Sequence, residues 1–185
     1  MSLEVVIGPM FSGKSSYINS LVKRYKSVGM SIVVIKPSSD TRYSVRPEVV
    51  THDGVRFDCI STCQNLMTID NQYTTAGVIV IEEAQFFDDL LVFVKCMVEN
   101  FGKNVVVVGL DGDYNRKPFG QVLECIPLAD KVIKLSALCA RCHDGTPGIF
   151  SHRRVYEGGQ VLIGGSELYE PLCRNCYLYK ISYNY

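Results

Sequence analysis

Apolar residues fall in short, dense runs along the chain: Leu3 to Ile7, Ser31 to Ile35, Val55 to Ile60, Gly77 to Ile81, Val105 to Leu110 and Lys131 to Leu135. Their β-branched content predicts strands. Between them, Tyr17, Ile18, Leu21, Val22 and Tyr25 recur at helical spacing before Gly29, as do Phe87, Leu90, Leu91, Val94, Met97 and Val98 before Gly102. Strands alternating with helices predict an α/β fold with a mainly parallel sheet. The runs VIVI and VVVV are apolar throughout, as strands buried on both faces must be. After Leu135 the texture changes: cysteines come in pairs, Gly158, Gly159, Gly164 and Gly165 cluster, and helical periodicity is lost. This predicts an α/β domain over residues 1–136 and a small loop-rich subdomain over 137–185, whose last residues, from Leu178, fray. The stretch Ser61 to Thr75 fits neither pattern.

Composition narrows the function. A chain of 185 residues with 47% hydrophobic content can bury one main core, and 19 basic against 19 acidic side chains leave no net field to hold a nucleic acid backbone. Small molecules, or copies of the same chain, are the expected partners. The N-terminus lacks the flank and cleavage pattern of a signal peptide, and no run reaches the roughly 18 apolar residues of a membrane span. The expectation is a reducing, cytoplasmic setting, in which the eight cysteines serve as thiols or metal ligands.

The strongest chemical signal is Gly8-Pro9-Met10-Phe11-Ser12-Gly13-Lys14-Ser15, a GxxxxGK[ST] phosphate loop placed after a predicted strand and before a predicted helix. Backbone N–H groups of such a loop point at phosphate oxygens, the lysine neutralises β/γ charge, and the hydroxyl ligates Mg²⁺. Downstream, GVIVI ends in Glu82 and Glu83, where the acidic partner of a phosphate loop is expected. Side chains alternate on a strand, so one carboxylate can serve the metal's water shell while the other accepts a proton from a nucleophile.

Cys139-x-x-Cys142 and Cys173-x-x-Cys176 form two knuckles. Four thiolates suit a closed, tetrahedral, structural zinc site; disulfides are the alternative, disfavoured in a reducing compartment. His143 stands beside the first knuckle, but the four cysteines already complete the set. Cys59, Cys63, Cys96 and Cys125 read as small buried hydrophobes or bystanders.

The motifs GPMFSGKS, KPSSDTRYS, EEAQFF and DGDYNRKPFG, the two CxxC pairs and IGGSELY stand here in one order, and together they resemble the type II thymidine kinase family from about Leu3 to Tyr177. The resemblance implies a RecA-like P-loop domain, a zinc subdomain carrying a lasso loop over the nucleoside, and a homotetramer. It implies transfer of the ATP γ-phosphate to thymidine for the salvage of DNA precursors, with Mg²⁺, a structural zinc ion and feedback inhibition by thymidine triphosphate. By matching motif positions, Glu83 corresponds to the catalytic base, Arg42 and Arg153 to arginines near the phosphates, and Asp40 to a residue near the metal. Met10 and Phe119 match thymine-pocket residues, Phe86 and Tyr114 aromatics beside the nucleoside, and Tyr169 the lasso aromatic; Leu162 and Gly164 fall where lasso backbone groups bond the base. Three positions depart from common family choices: Glu82 for Asp, Ala84 and Tyr114. Tyr114 adds a hydroxyl beside the sugar or base, and deoxyuridine, which lacks only the methyl, is a second expected acceptor.

Two other classes fit parts of the sequence. A P-loop ATPase would use Glu83 to orient water and its zinc tail to grip a macromolecule. A zinc-ribbon binding module would need a basic, aromatic tail, and the near balance of Arg141, Arg153, Arg154, Arg174 and Lys180 against Asp144, Glu157, Glu167 and Glu170 speaks against nucleic acid.

Overall fold

The computed structural model describes residues 1–39, 48–50, 55–62, 65–69, 73, 75–155 and 159–182. β1 (Ser2–Ile7) runs through the glycine-rich loop into α1 (Lys14–Ser27), and β2 (Ile32–Pro37) follows. β3 (Glu48–Val50) and β4 (Arg56–Asp58) form a separate antiparallel pair, whereas β5 (Ile60–Thr62) joins the main sheet. β6 (Val78–Ile81), α2 (Leu90–Lys95), β7 (Asn104–Gly109) and β8 (Lys131–Lys134) complete the α/β part. The six-stranded sheet has the order β5-β2-β6-β7-β1-β8, and every neighbouring pair is parallel.

The pleat explains why the strands are apolar throughout. Val5, Ile7, Ile79, Ile81, Val105 and Val107 join one core with Leu90, Phe93, Val94 and Met97 of the α2 region. Their strand neighbours Val6, Val78, Val80, Val106 and Val108 join a second core with Ile18, Leu21 and Val22 of α1. With both faces covered, alternation has no polar face to show. All the connections that carry chemistry leave the carboxyl ends of these strands, where open parallel sheets bind ligands.

Three expectations change. The run Val55 to Ile60 is split at Cys59, because Arg56 and Asp58 are exposed on β4 while Ile60 pairs beside Ile35 of β2. The second helix starts at Leu90, not Phe87, and passes into a π-helical turn at Cys96–Asn100. The unplaced stretch contains a 3-10 turn, Leu66–Thr68, whose Leu66 and Met67 amides donate to the Asp89 carboxylate at 2.9 and 2.8 Å.

Beyond β8 the chain builds a small module from β9 (Ala137–Leu138) paired with β10 (Pro147–Gly148), β11 (Phe150–Arg153) paired with β12 (Tyr169–Leu172), and α3 (Arg174–Ser182). The helix α3 was not legible from periodicity. It begins directly after Cys173, whose carbonyl accepts from the Tyr177 amide at 3.0 Å, so the knuckle starts the helix. Among the described residues no helix is long and apolar enough to cross a membrane.

Candidate active site

The phosphate loop is wound by three residues. Phe11 and Gly13 take left-handed φ values of 66° and 82°, and a Cβ on Gly8 would sit 2.6 Å from the Leu135 carbonyl oxygen at the end of β8. Lys14 Nζ donates to the carbonyls of Gly8 at 3.2 Å and Pro9 at 2.7 Å, which folds the ammonium back over the loop. Ser12 Oγ is buried with no hydrogen-bond partner among the described residues. The first turn of α1 carries no acidic side chain, and Gly13 offers no side-chain cap. An ammonium held over the loop, an orphaned buried hydroxyl and an uncapped helix N-terminus fit an anionic phosphate.

The two carboxylates at the end of β6 part company. Glu82 is 6% exposed, and its Oε1 accepts from Ser15 Oγ at 2.7 Å, so it belongs to the phosphate loop. Glu83 turns the other way, in the left-handed region at φ 49° and ψ 43°, and lines a neighbouring cavity. A non-glycine residue held there stores on the order of 1–3 kcal/mol of strain, a feature concentrated at functional sites. Ser15 and Glu82 together offer the hard oxygen donors that Mg²⁺ takes in part, the rest coming from water and phosphate.

The cavity is a cleft of about 530 Å³ that opens in part to solvent. Around it the structure gathers Met10 from the phosphate loop, Phe86 after β6, Tyr114 and Phe119 after β7, Leu162 and Gly164 from the chain between β11 and β12, and Tyr169 at the start of β12. Phe86 and Phe119 meet edge to face, with ring centroids 5.4 Å apart. The loop over the cavity is pinned from inside: Tyr169 Oη donates to the Leu162 carbonyl at 2.6 Å, and a Cβ on Gly164 would come within 2.3 Å of Leu168 Cδ1. Tyr169→Phe removes one hydrogen bond of roughly 0.5–1.5 kcal/mol. It should raise the KM for nucleoside about 2- to 10-fold and leave the KM for ATP unchanged, as initial-rate kinetics in each substrate would show.

Arg153, expected near the phosphates, is 2% exposed and holds the loop's stem. Its guanidinium donates to the Gly159 carbonyl at 2.7 Å and the Val155 carbonyl at 3.2 Å, and its Cζ lies 3.5 Å from the centroid of the Tyr114 ring. Asp40 and Arg42 lie outside the described residues. Four residues of the site escaped sequence reasoning. Gln160 Nε2 reaches across to Asp113 Oδ2 at 3.0 Å, Ser151 Oγ accepts from the Met10 amide at 2.9 Å, and Gln85 bonds Glu83. The last was within reach, since an amide between two apolar residues of EEAQFF has to find partners once buried.

The four paired cysteines converge as well. The sulfurs of Cys139, Cys142, Cys173 and Cys176 all lie within 4.8 Å of one another, with Cys142 at 3.7 Å from Cys173 and 3.5 Å from Cys176. Tetrahedral zinc with bonds of about 2.3 Å separates its sulfurs by about 3.8 Å, whereas a disulfide would bring two to about 2.05 Å. These four are free thiols, and the arrangement is a structural zinc site. Burial disfavours ionisation of Cys139, but the Cys173 amide, at 3.2 Å from its sulfur, and those of Arg141 and Cys142 outweigh it and lower the thiol to about 6.

His152 in β11 is 6% exposed, and its Nδ1, 3.5 Å from Glu170 Oε1, has no hydrogen-bond partner among the described residues. Burial lowers its pKa below the ordinary 6.5, and the coulombic pull of Glu170 does not reverse this. The folded state therefore keeps the imidazole neutral, so stability is full above 6.5 and is lost as pH falls through the lower folded value. In excess zinc, Tm should drop more between pH 7 and 5.5 for the natural protein than for His152→Gln, by the slope of Tm against pH.

Comparison with known proteins agrees with this geometry. A sequence model of the family described as thymidine kinase matches residues 1–177. The chain is 43% identical over 182 residues to thymidine kinase a of Arabidopsis thaliana, covering 96% of this chain and 75% of that protein. It is 40% identical over 176 residues to the thymidine kinase of raccoon poxvirus, covering 95% and 96% respectively. Against the cytosolic thymidine kinase of Homo sapiens the identity is 38% over 180 residues, covering 97% of this chain and 74% of the relative. With a phosphate loop, a carboxylate pair split between two sites, a roofed aromatic cavity and a four-cysteine cluster in one chain, the protein belongs to the thymidine kinase family, in its zinc-bearing form.

Proposed function

We propose that the chain transfers the γ-phosphate of ATP to the 5′-hydroxyl of thymidine, and of deoxyuridine less readily, giving the 5′-monophosphate. The observation that carries this reading is the division of labour at the end of β6. Glu82 bonds the phosphate-loop serine, and the next residue, Glu83, lines the aromatic cavity, so donor and acceptor meet at one strand end.

In this reading Lys14 leaves its loop carbonyls for the β/γ-phosphates, and Ser12 Oγ gains the partner it lacks. Mg²⁺, held through Ser15 and Glu82, would neutralise charge on the phosphates. The longer Glu82 side chain, in place of the family's usual Asp, still reaches Ser15 directly. Glu83 accepts the proton of the attacking hydroxyl, while Met10, Phe86, Phe119 and Tyr114 sandwich the base and lasso backbone groups at Leu162 and Gly164 read its edge. Arg42 and Arg153 are assigned to transition-state charge and Asp40 to the metal; Arg153 would have to exchange its lasso contacts for phosphate, or act by holding the lasso shut. Phosphoryl transfer asks mainly for alignment and exclusion of water, which the loop over the cavity would serve with both substrates bound.

The proposal also includes a division at 136/137, between β8 and β9, a homotetramer, inhibition by thymidine triphosphate and a cytoplasmic location. The division rests on the change of sequence texture after Leu135, the tetramer and the inhibition on the family, and the location on the sequence together with a human relative named cytosolic. The test is ADP release by the purified zinc-loaded protein with ATP and Mg²⁺, with and without thymidine. Strong dependence on thymidine supports a kinase, and release indifferent to nucleoside would leave an ATPase.

A further inference from the structure

Gln85 is 4% exposed, a buried carboxamide whose polar atoms must find partners inside the protein. It occupies the middle of the 3-10 turn Ala84–Phe86, directly after the strained Glu83. Its Oε1 accepts from the Leu110 amide at 3.1 Å, and its Nε2 donates to Glu83 Oε2. These two partners fix which way the amide points. A backbone N–H needs an acceptor and an ionised carboxylate needs a donor, so only a carboxamide in this one orientation satisfies both.

The space around Gln85 has been cleared for it. A Cβ on Gly109, the last residue of β7, would lie 2.9 Å from Gln85 Oε1. A Cβ on Gly120, at φ 58°, would lie 2.3 Å from the Gln85 carbonyl oxygen. Gln85 thus ties the end of β6 to the end of β7 at the wall of the cavity, which Glu83, Gln85 and Leu110 all line.

We infer that Gln85 is a positioning residue for phosphoryl transfer: it fixes one oxygen of the Glu83 carboxylate so that the other is presented to the nucleoside hydroxyl. This rests on the reading of Glu83 as the base. Gln85 is itself among the residues lining the cavity, but both of its side-chain hydrogen bonds go to protein groups, Leu110 and Glu83, so its effect on transfer runs through Glu83. The other titratable groups lining the cavity are engaged elsewhere. Asp113 accepts from the Asn115 and Lys117 amides and from Gln160, Tyr169 donates to Leu162, and the Tyr114 ring lies under Arg153. A change at Gln85 should therefore be felt at Glu83 and not at these groups.

The experiment compares the natural protein with Gln85→Glu and Gln85→Met, all zinc-loaded, by kcat and KM across pH 5 to 9, with folding followed by Tm. Gln85→Glu still accepts from Leu110 but sets a second carboxylate against Glu83, so the acid limb of the kcat profile should move up by about one unit or more. At neutral pH kcat should fall roughly 10-fold or more and recover in part as pH rises, with the KM for ATP unchanged. Gln85→Met loses both hydrogen bonds without adding charge and should lower kcat with a smaller shift of the limb. If either variant binds ATP normally and its pH profile superposes on that of the natural protein, with only Tm lowered, Gln85 is a packing residue and the inference fails. A Glu83→Gln protein that keeps its turnover would instead overturn the assignment of the base, a separate outcome.

Discussion

Glu83→Gln is expected to lower thymidine phosphorylation by roughly 10²- to 10⁴-fold, the usual contribution of a positioned general base. The change keeps shape and volume, and Gln85 can still donate to the new amide oxygen, so the turn after β6 should hold. What is lost is the site that takes the proton when the 5′-hydroxyl attacks. ATP should bind as before, because Lys14, Ser15 and Glu82 lie on the other side of the strand end. Single-turnover kinetics with a fluorescent ATP analogue would separate the two effects. Loss of ATP binding along with turnover would mean that Glu83 serves the phosphate side.

The second large effect should follow removal of zinc. The core of the small module consists of Cys139, Leu172, Cys173 and Tyr177, with a few half-buried neighbours, which is too little apolar surface to order about fifty residues. Structural zinc supplies on the order of 10–16 kcal/mol in small zinc modules. Chelation, or Cys142→Ser, should therefore unfold β9 to α3. The damage should reach the nucleoside site through three contacts. Tyr177, next to Cys176, donates to the Tyr114 carbonyl at 2.6 Å; Ser151 holds the Met10 amide; and the lasso springs from β11 and β12. Thymidine turnover should be abolished while the six-stranded sheet, built wholly from residues before the module, retains its far-UV signal. Activity surviving stoichiometric chelation would contradict the structural role of the cluster.

Sequence alone disclosed those parts of the fold whose causes are local. Ile18, Leu21 and Val22 could be read as a buried helical stripe, VIVI and VVVV as strands covered on both faces, and GPMFSGKS as a loop between strand and helix. The cysteine spacing carried the zinc site because four soft ligands in two knuckles have few other uses. Features set by distant partners were hidden. Asp89 clips the Leu66–Thr68 turn across more than 20 positions, Gln160 reaches Asp113 across 47, and α3 owes its start to a metal knuckle and not to an apolar stripe. The cavity-lining set from Met10 to Tyr169 came from the resemblance, since aromatic residues scattered along a chain look the same whether they line a pocket or fill a core. The resemblance gave no sign that Arg153 also donates to the lasso backbone, at the carbonyls of Val155 and Gly159.

In the proposed reaction one strand end joins a phosphate-loop donor site to a nucleoside acceptor site. The most direct measurement follows the label from γ-³²P-ATP with thymidine, deoxyuridine, deoxycytidine, deoxyadenosine and 5′-deoxythymidine, and identifies each product by mass. Labelled 5′-monophosphates of thymidine and deoxyuridine only are expected, with 5′-deoxythymidine binding but accepting no phosphate. Label appearing chiefly as inorganic phosphate, at a rate indifferent to the nucleoside present, would contradict the proposed reaction.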